Sequence, residues 1–214
     1  MRHQSLRKKV IATARAINDS GLNPGKAGNV SARCRDGFLI TPTGVPYAEL
    51  KPRSIVEVGM DGTVDGKQLR PSSEWRFHRD IYAKRVDAGA IVHVHSAHAT
   101  ALACARREIP AFHYMVAVAG GDSIRCAPYA TFGTQTLSKH AVEALAGRRA
   151  CLLANHGMIA IGNDPDQALA LATEVEFLAQ QYCLSLHIGG PVLLTGREMN
   201  EALERFKSYG KQDT

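Results

Sequence analysis

The sequence predicts an α/β protein in which helices and strands form packed layers. Two apolar segments, residues 90–95 and 150–162, have the length and composition of buried strands. Segments of ten or more residues around them carry apolar side chains at helical spacing. The 214 residues, 45% hydrophobic and 21% charged, are enough for one sizeable core. We therefore expect a single domain over residues 1–214.

The first predicted elements are a helix and two short strands. The helix covers residues 6–20, because an apolar stripe runs along one face and Gly21 is a natural C-terminal stop. The stripe consists of Leu6, Val10, Ile11, Ala14 and Ile17. Residues 37–41 and 54–64 are predicted as short strands joined by glycine-containing turns.

The middle of the chain is predicted as helix, strand and helix. The first helix covers residues 72–85, and its first turn carries two serines and a glutamate at 72–74. The strand at 90–95 follows, and then a helix over 97–106.

The C-terminal part is predicted as a strand pair at 150–162 followed by two helices. Asp164 and Pro165 mark the start of the first helix, and Thr195 with Glu198 forms a capping box for the second. One face of the first helix presents Ala168, Leu171, Ala172, Val175, Leu178, Tyr182 and Leu186. The second helix contains Met199, Leu203 and Phe206. Strands and helices interleave without strict alternation, which favours a layered α/β domain.

Charge and cysteine content argue against several classes of protein. The formal net charge is +6, but the basic residues form short clusters mixed with acids, without a basic stripe or interleaved aromatics. We expect no nucleic-acid partner, although positive potential would help to attract a small anionic substrate. The five cysteines are scattered and form no C-x-x-C pair, which argues against a disulfide framework and a cysteine-based zinc site.

Hydropathy argues against a membrane protein. No apolar run reaches the roughly 18 residues of a membrane span. Residues 1–17 lack the unbroken apolar core of a signal peptide. We therefore expect a cytoplasmic protein with no membrane partner.

The apolar segment AIVHVHSAHATALA contains three histidines within a stretch of six residues. Side chains alternate faces on a strand, so His93 and His95 point one way, while Val92 and Val94 point to the core. The two imidazoles can then bind one ion about 2 Å from each nitrogen. The alternative is a pair of hydrogen-bonded, partly exposed histidines.

A third histidine favours the metal site. His156 directly follows an apolar strand and precedes Gly157, which allows close backbone approach. Three histidines at strand ends, without cysteine partners, are typical of a catalytic zinc site with an open position. Glu74 is a candidate for a fourth, displaceable ligand or for an acid/base. His98 falls on the next helix, where we expect a supporting or plain polar role.

Three polar stretches before the histidines, KAGNVSAR, TPTGVPY and PSSEW, offer donors for an anion. Glycine lets backbone N–H groups approach an anion, and four side chains add donors. These are Asn29, Thr43, Ser72 and Ser73. Each stretch alone is also typical of an ordinary turn or helix cap. Together they place anion donors at a helix start beside Glu74, so an anchored substrate would have its reacting carbons near that carboxylate.

Several segments resemble those of the class II aldolase/adducin family, nearly end to end and with similar spacing. They are AGNVSAR, ITPTGVPY, PSSEWRFH, HVHSAHATA, IPAFHYMVAVAGG, APYATFGT and NHGMIAIG. The resemblance implies a central, mainly antiparallel sheet flanked by helices and a homotetramer with sites between subunits. It also implies an enzyme with one zinc ion per subunit, or another divalent cation, that reversibly cleaves a ketose 1-phosphate to dihydroxyacetone phosphate and an aldehyde.

The functional residues of the family match individual positions of this chain. The zinc histidines fall on His93, His95 and His156, and the acid/base glutamate, which ligates the metal until substrate arrives, falls on Glu74. The phosphate-binding positions fall on Asn29, Thr43, Gly44, Ser72 and Ser73, with Gly28 shaping the loop. The resemblance places an aldehyde-side acid/base at Tyr114, contributed by a neighbouring subunit. It places the aldehyde-side pocket at Phe132, Phe206 and Tyr209.

Two positions depart from the pattern of the family. Asp122 stands where a neutral side chain is expected, and it either lies on the surface or alters the aldehyde pocket. Lys26 precedes the Asn29 loop, and we expect it to add positive charge near the phosphate.

Two other functions remain open on the same scaffold. Ribulose-5-phosphate 4-epimerases and methylthioribulose-1-phosphate dehydratases share it, although the epimerases carry an aspartate where this chain has Glu74. A non-catalytic module like the adducin head would lack the zinc ligands that this chain retains. Among aldolase substrates, L-fuculose 1-phosphate, 5-deoxyribulose 1-phosphate and 5-(methylthio)ribulose 1-phosphate fit equally well, and the sequence does not rank them.

Overall fold

A seven-stranded sheet forms the centre of the protein in the computed structural model, which describes residues 2–23 and 25–207. The strands are β1 Asn29–Cys34, β2 Gly37–Ile40, β3 Val56–Gly59, β4 Ala90–Val94, β5 Cys126–Ala127, β6 Ala150–Leu153 and β7 Gly157–Gly162. Their order is β3-β2-β1-β4-β7-β6-β5. Every neighbouring pair is antiparallel except β5 and β6, which are parallel. The expected mainly antiparallel sheet is confirmed.

Helices cover both faces of this sheet. They are α1 Gln4–Asp19, α2 Trp75–Lys84, α3 Ala97–Cys104, α4 Gln135–Ala144, α5 Pro165–His187 and α6 Gly196–Phe206. Helices α1, α3 and α5 pack on one face, and α2 and α4 pack on the other. The predicted α/β/α layering is therefore confirmed. None of these described helices is long and apolar enough to cross a lipid bilayer.

Strand β4 lies in the middle of the sheet and is buried on both sides. Val92 and Val94 belong to the core under α1, α3 and α5, whereas Ile91 belongs to the core under α2 and α4. The predicted alternation of faces is correct, and it directs His93 toward α2, where its ring meets Phe77 edge-on at 5.4 Å between centroids.

Several elements differ from the sequence prediction. Strands β1 and β5 and helix α4 were not predicted. The start of α2 was predicted three residues too early, because the helix begins at Trp75 with Glu74 as its N-cap residue. The backbone N–H of Ser72 donates instead to the carbonyl of Thr41 (3.0 Å), and Pro71 forms a β-bridge with Pro42. Ser72 is thus held beside Thr41, and Ser73 lies in the turn that leads into the helix.

Candidate active site

Three histidine side chains converge at the end of strand β4. His93 lies on β4, His95 directly after it, and His156 in the turn between β6 and β7. The ring centroids are 4.8–4.9 Å apart in all three pairs, and the rings meet at 73–74°. One ligand nitrogen from each lies within 4.8 Å of the others. This near-threefold arrangement directs three imidazole edges at one point.

Glu74 completes the cluster from the start of α2. Its Oε2 lies 3.1 Å from His93 Nε2, and its Oε1 lies 3.2 Å from His156 Nε2. The Nε2 atoms of His93 and His95 are 3.0 Å apart. Ligands bound tetrahedrally to zinc at about 2 Å would be separated from one another by about 3.3 Å. The four side chains therefore have spacings close to those of one tetrahedral coordination shell.

Hydrogen bonding fixes the tautomer of His93 that can bind a cation through Nε2. Its Nδ1 lies 2.8 Å from the carbonyl oxygen of Met158, which can only accept, so Nδ1 carries the hydrogen in the neutral ring. The bare Nε2 then faces the Glu74 carboxylate and His95 Nε2. Lone pairs facing each other at this distance need a proton or a metal ion between them.

The electrostatics of the cluster favour a neutral His95 and an ionised Glu74. Burial lowers the pKa of His95 to about 3, with further lowering by His93 and His156. Burial alone would raise the pKa of Glu74, but His93 and His156 beside the carboxylate hold this pKa well below its usual range. Neutral histidine and ionised glutamate are the forms that bind a divalent metal.

The residues present fit a zinc ion. Glu74 is buried, and its Oε1 has no hydrogen-bond partner of good geometry among the described residues. A buried carboxylate oxygen without a donor is unfavourable unless a cation is bound beside it. Three histidines and one carboxylate, with no cysteine, form a donor set typical of catalytic zinc.

Two glycines allow the strands to approach this closely. A Cβ at Gly157 would lie 2.5 Å from the Val94 carbonyl oxygen and 2.7 Å from Cδ2 of His95. A Cβ at Gly28 would lie 2.5 Å from the carbonyl oxygen of His93. Both glycines therefore make room for the backbone that carries the histidines.

A cleft of about 240 Å³ opens beside the cluster. It is lined by Ala27, Ser73, Glu74, His95, Tyr129, Ala130, Phe132, Asn155 and His156. Phe132, which was predicted for an aldehyde-side pocket, therefore lines the cleft beside the histidines. Tyr129 was missed, although it belongs to the motif APYATFGT, because nothing in the sequence distinguishes it from a buried aromatic.

Backbone hydrogen bonds hold two of the predicted phosphate-binding segments side by side. Thr43 N–H donates to the carbonyl of Arg70 (3.1 Å), next to the Ser72–Thr41 bond described above. Ser72 is buried and its Oγ accepts from Glu74 N–H (3.3 Å), whereas Ser73 is exposed at the cleft. Gly44 follows Thr43 with a φ of +74°, which favours glycine at this turn.

The third segment, Gly28 and Asn29, reaches the same place. The Tyr47 hydroxyl donates to the carbonyl of Gly28, and Asn29 Nδ2 donates to Glu74 Oε2 (3.0 Å). Lys26 Nζ donates to the carbonyl of Gly44 (3.3 Å), so this lysine lies by the glycine turn. The structure therefore brings together the three stretches singled out from the sequence.

Other predicted residues lie outside the cluster. His98 contacts Glu176 on α5, with Nδ1 at 2.8 Å from Oε1, and the same carboxylate accepts from the backbone N–H groups of His98 and Ala99. Glu176 thus caps α3. Asp122 pairs with Arg148 at 2.5 Å and is exposed, so it is not part of the cleft.

The remaining aldehyde-side residues are separate from the cleft of the same chain. Tyr114 begins a 3₁₀ turn, Tyr114–Ala119, is 53% exposed, and lies 6.5 Å from the ring of Phe206. Neither aromatic lines the cleft. Tyr209 lies outside the described residues.

A second group of potential metal ligands is less favourable. Atoms of His3, Cys34 and Glu57 also lie within 4.8 Å of one another. However, Arg7 Nη2 lies 3.3 Å from Glu57 Oε2, so a cation already pairs with that carboxylate. Burial and then Glu57 raise the pKa of the Cys34 thiol, which disfavours the thiolate that metals require.

Comparison with known proteins identifies the family of this chain. Residues 8–183 match the model of the class II aldolase and adducin N-terminal domain family. The chain is 54% identical over 206 residues to a 5-methylthioribulose-1-phosphate/5-deoxyribulose-1-phosphate aldolase of Rhodospirillum rubrum, covering 96% of this chain and 93% of that protein. It is 50% identical over 211 residues to the L-fuculose phosphate aldolase of Escherichia coli K12, covering 98% of each.

Solved structures give the same result. An L-fuculose 1-phosphate aldolase structure superposes with a TM-score of 0.93 at 40% identity, covering 97% of this chain and 98% of that one. The L-fuculose-1-phosphate aldolase of Thermus thermophilus superposes with a TM-score of 0.75 at 30% identity, covering 88% and 98%. From its sequence and its fold, this chain belongs to the class II aldolase and adducin family.

Proposed function

We propose that this chain is a zinc-dependent class II aldolase that reversibly cleaves a deoxyketose 1-phosphate to dihydroxyacetone phosphate and an aldehyde. The observation that carries the proposal is the convergence of three imidazoles and Glu74 at the cleft. The names of the relatives support three substrates: L-fuculose, 5-deoxyribulose and 5-(methylthio)ribulose 1-phosphates.

The substrate phosphate is proposed to bind where the three polar segments meet. Asn29, Thr43, Ser72 and Ser73 supply side-chain donors, and Gly28 and Gly44 keep the backbone open to the anion. The phosphate lies away from the bond that breaks. Its binding energy therefore serves to position the reacting carbons beside Glu74.

His93, His95 and His156 would hold the metal ion, with Glu74 as a fourth ligand until substrate displaces it. When bound, zinc supplies a Lewis acid that polarises the ketose carbonyl and stabilises negative charge. In the cleavage direction the C3–C4 bond breaks and its electron pair stays on the phosphorylated fragment. Glu74, once substrate has displaced it and its carboxylate has taken up a proton from solvent, delivers from Oε1 the proton that C3 needs to complete dihydroxyacetone phosphate. In synthesis the carboxylate removes that proton and returns it to solvent.

The aldehyde side needs a second acid/base, because the C4 hydroxyl must lose its proton as the carbonyl forms. We assign this step to the hydroxyl of Tyr114 from a neighbouring subunit, which would accept the C4 hydroxyl proton while passing its own proton to solvent. In support, Tyr114 is half-exposed and lies outside the cleft of its own chain, so only another copy could bring it there. Phe132 and Tyr129 give the cleft an aromatic wall that suits the apolar methyl or methylthio end of these sugars.

The experiment is a coupled assay for dihydroxyacetone phosphate release across the three sugar phosphates, with the Glu74→Gln variant. We expect the variant to lose at least about a hundredfold in turnover, as is usual when an acid/base is removed, and to remain folded. Glu143→Gln, an exposed glutamate paired only with Lys139 among the described residues, is the matched control and should retain full activity.

Other outcomes would point to other functions. Conversion to an isomer, without release of dihydroxyacetone phosphate, would indicate an epimerase, and a dehydrated ketone would indicate a dehydratase. A protein that neither turns over these sugars nor responds to chelation and zinc add-back would be a non-catalytic module of the adducin type.

Three further expectations stay predictions. They are a single domain over residues 1–214, a homotetramer with sites between subunits, and a cytoplasmic location without nucleic-acid or membrane partners. Size measurement in solution tests the tetramer directly.

A further inference from the structure

A line of buried hydrogen bonds runs behind the candidate metal centre. On α2, His78 and Tyr82 follow Glu74 at successive intervals of four residues, so the three side chains lie on one face of the helix. On β1, Asn29 and Ser31 are two residues apart and so point to the same face of the sheet. The two rows interlock, and all five residues are buried.

The contacts form one continuous chain. The Tyr82 hydroxyl lies 2.7 Å from Ser31 Oγ, and Ser31 Oγ lies 2.7 Å from His78 Nδ1. His78 Nε2 lies 2.5 Å from Asn29 Oδ1. Asn29 Nδ2 donates to Glu74 Oε2 at 3.0 Å, which brings the chain to the candidate metal ligand.

Donors and acceptors assign the direction of every bond. Asn29 Oδ1 can only accept, so His78 Nε2 must carry the ring hydrogen. Nδ1 is then an acceptor, so the Ser31 hydroxyl donates to it and in turn accepts from Tyr82. Burial, followed by His93, lowers the pKa of His78 to about 3 against the opposing effect of Glu74, so the ring stays neutral.

The orientation of the Asn29 amide is fixed from both ends. The ionised carboxylate of Glu74 can only accept, so the NH₂ group of Asn29 faces Glu74, and the Nε2–H of His78 holds Oδ1 on the other side. In the opposite orientation, two amide hydrogens would meet a ring N–H, and the amide oxygen would face a carboxylate oxygen. Because Asn29 pairs with His93 across the sheet, its amide lies at the junction of the candidate metal centre and the polar segments.

We propose that His78 is a positioning residue that fixes the amide of Asn29, and through it the carboxylate of Glu74. His78 is fully buried and stacks near the rings of Phe77 and Phe38, with centroids at 4.6 and 6.4 Å, so packing on its ring faces restricts its rotation. It reaches no substrate and acts only through Asn29. The kinetic consequence of this inference rests on the proposed function, whereas its structural content does not.

The direct test is two-bond ¹⁵N–¹H NMR of the histidine rings, on the metal-free and the zinc-loaded protein. We expect His78 to be protonated at Nε2 alone and not to titrate between pH 5 and 8. A ring protonated at Nδ1, or one that becomes charged in this range, would overturn the proposal. This readout is independent of any enzymatic activity, so a failure of the proposed function would not obscure it.

The functional test compares His78→Leu with His78→Gln, measuring kcat, KM and zinc affinity by chelator competition. We expect His78→Leu to lose about tenfold to a hundredfold in kcat/KM or zinc affinity, the usual effect of removing a partner behind a metal ligand. The side-chain amide introduced by His78→Gln can still donate to Asn29 Oδ1, so this variant should stay within about threefold of the wild type.

Tyr82→Phe is the matched control, since it removes a buried hydroxyl from the same helix face without touching Asn29. It should lower the melting temperature while leaving kcat/KM and zinc affinity within about threefold. Equal functional losses in Tyr82→Phe and His78→Leu would indicate a merely structural role and overturn the proposal. If His78→Leu does not fold, His78→Asn replaces it, because its shorter side chain does not extend to Asn29, and the same losses are expected.

Discussion

Gly157→Ala is the substitution that most directly tests the packing around the histidines. The added Cβ would lie 2.5 Å from the Val94 carbonyl oxygen and 2.7 Å from Cδ2 of His95. Ordinary van der Waals contact begins at about 3.4 Å, so these atoms must retreat by about 0.9 and 0.7 Å. Neither can do so freely, since β4 and β7 are paired along their length.

The expected effect is on both metal binding and stability. A metal site tolerates deviations of about 0.2 Å in ligand distance, so a shift of His95 by several tenths of an ångström should weaken zinc binding. By analogy with losses at supporting residues, we expect about tenfold to a hundredfold. Overpacking by one methyl group should cost about 1–3 kcal/mol, which is about 2–12 °C in Tm for a chain of this size.

The assay is zinc competition with a chromophoric chelator, together with thermal unfolding of the metal-free protein. Gly66→Ala is the control, because Gly66 has open space around its Cβ position and no positive φ. It should match the wild type in both measurements. If Gly157→Ala kept the zinc affinity within twofold and the Tm within about 1 °C, the close approach of β7 to His95 would not be a requirement of the site.

Three more substitutions test other contacts. Lys26→Ala should raise KM for the sugar phosphate and weaken the dependence of KM on salt concentration, whereas Lys26→Arg should change neither. Unchanged substrate binding in both variants would exclude a role of Lys26 near the phosphate. Glu176→Ala should lower the Tm by about 2–6 °C, because α3 loses the carboxylate that accepts its first N–H groups, and an unchanged Tm would contradict that capping role. Tyr114→Phe should lower the rate of cleavage at least about tenfold, because the aldehyde side loses its acid/base. It should preserve the exchange of the C3 proton of dihydroxyacetone phosphate with solvent, measured by NMR in D₂O. An equal loss of cleavage and of proton exchange would contradict the assignment of Tyr114 to the aldehyde side.

The parts of the fold that could be predicted are those with strong local patterns. The apolar stripe of α5 and the capping box at Thr195 identify their helices without reference to the rest of the chain. Strand β1 was missed because the residues on its α2 side, Asn29 and Ser31, are polar and made the segment resemble a loop. Their partners lie on α2, more than 45 residues away, so no local pattern shows that these polar groups are buried and paired.

In the candidate site, too, local sequence patterns predict some features, while others depend on the whole fold. The spacing of His93 and His95 on one strand shows by itself that both point one way. The meeting of Glu74 with His93 and His156 depends on α2 packing across β4, which is a property of the whole fold. The position of Tyr129 at the cleft could not be predicted, because it depends on the loop before α4 lying against Ser73, where Gly133 leaves room for the Ser73 carbonyl oxygen.

The histidine segment is informative because its polar side chains interrupt an otherwise apolar, buried strand. A sequence that folds well has local preferences that agree with its global packing, and exceptions concentrate at functional sites. In AIVHVH the apolar residues satisfy the core on both faces of β4, and only His93 and His95 break the pattern. Their Nε2 atoms lie 3.0 Å from each other, and among the described residues the buried Glu74 Oε1 has no hydrogen-bond partner of good geometry. A cluster that is unfavourable when empty and complete with one cation should therefore gain stability on binding zinc, because a ligand that binds only the folded state shifts unfolding by mass action.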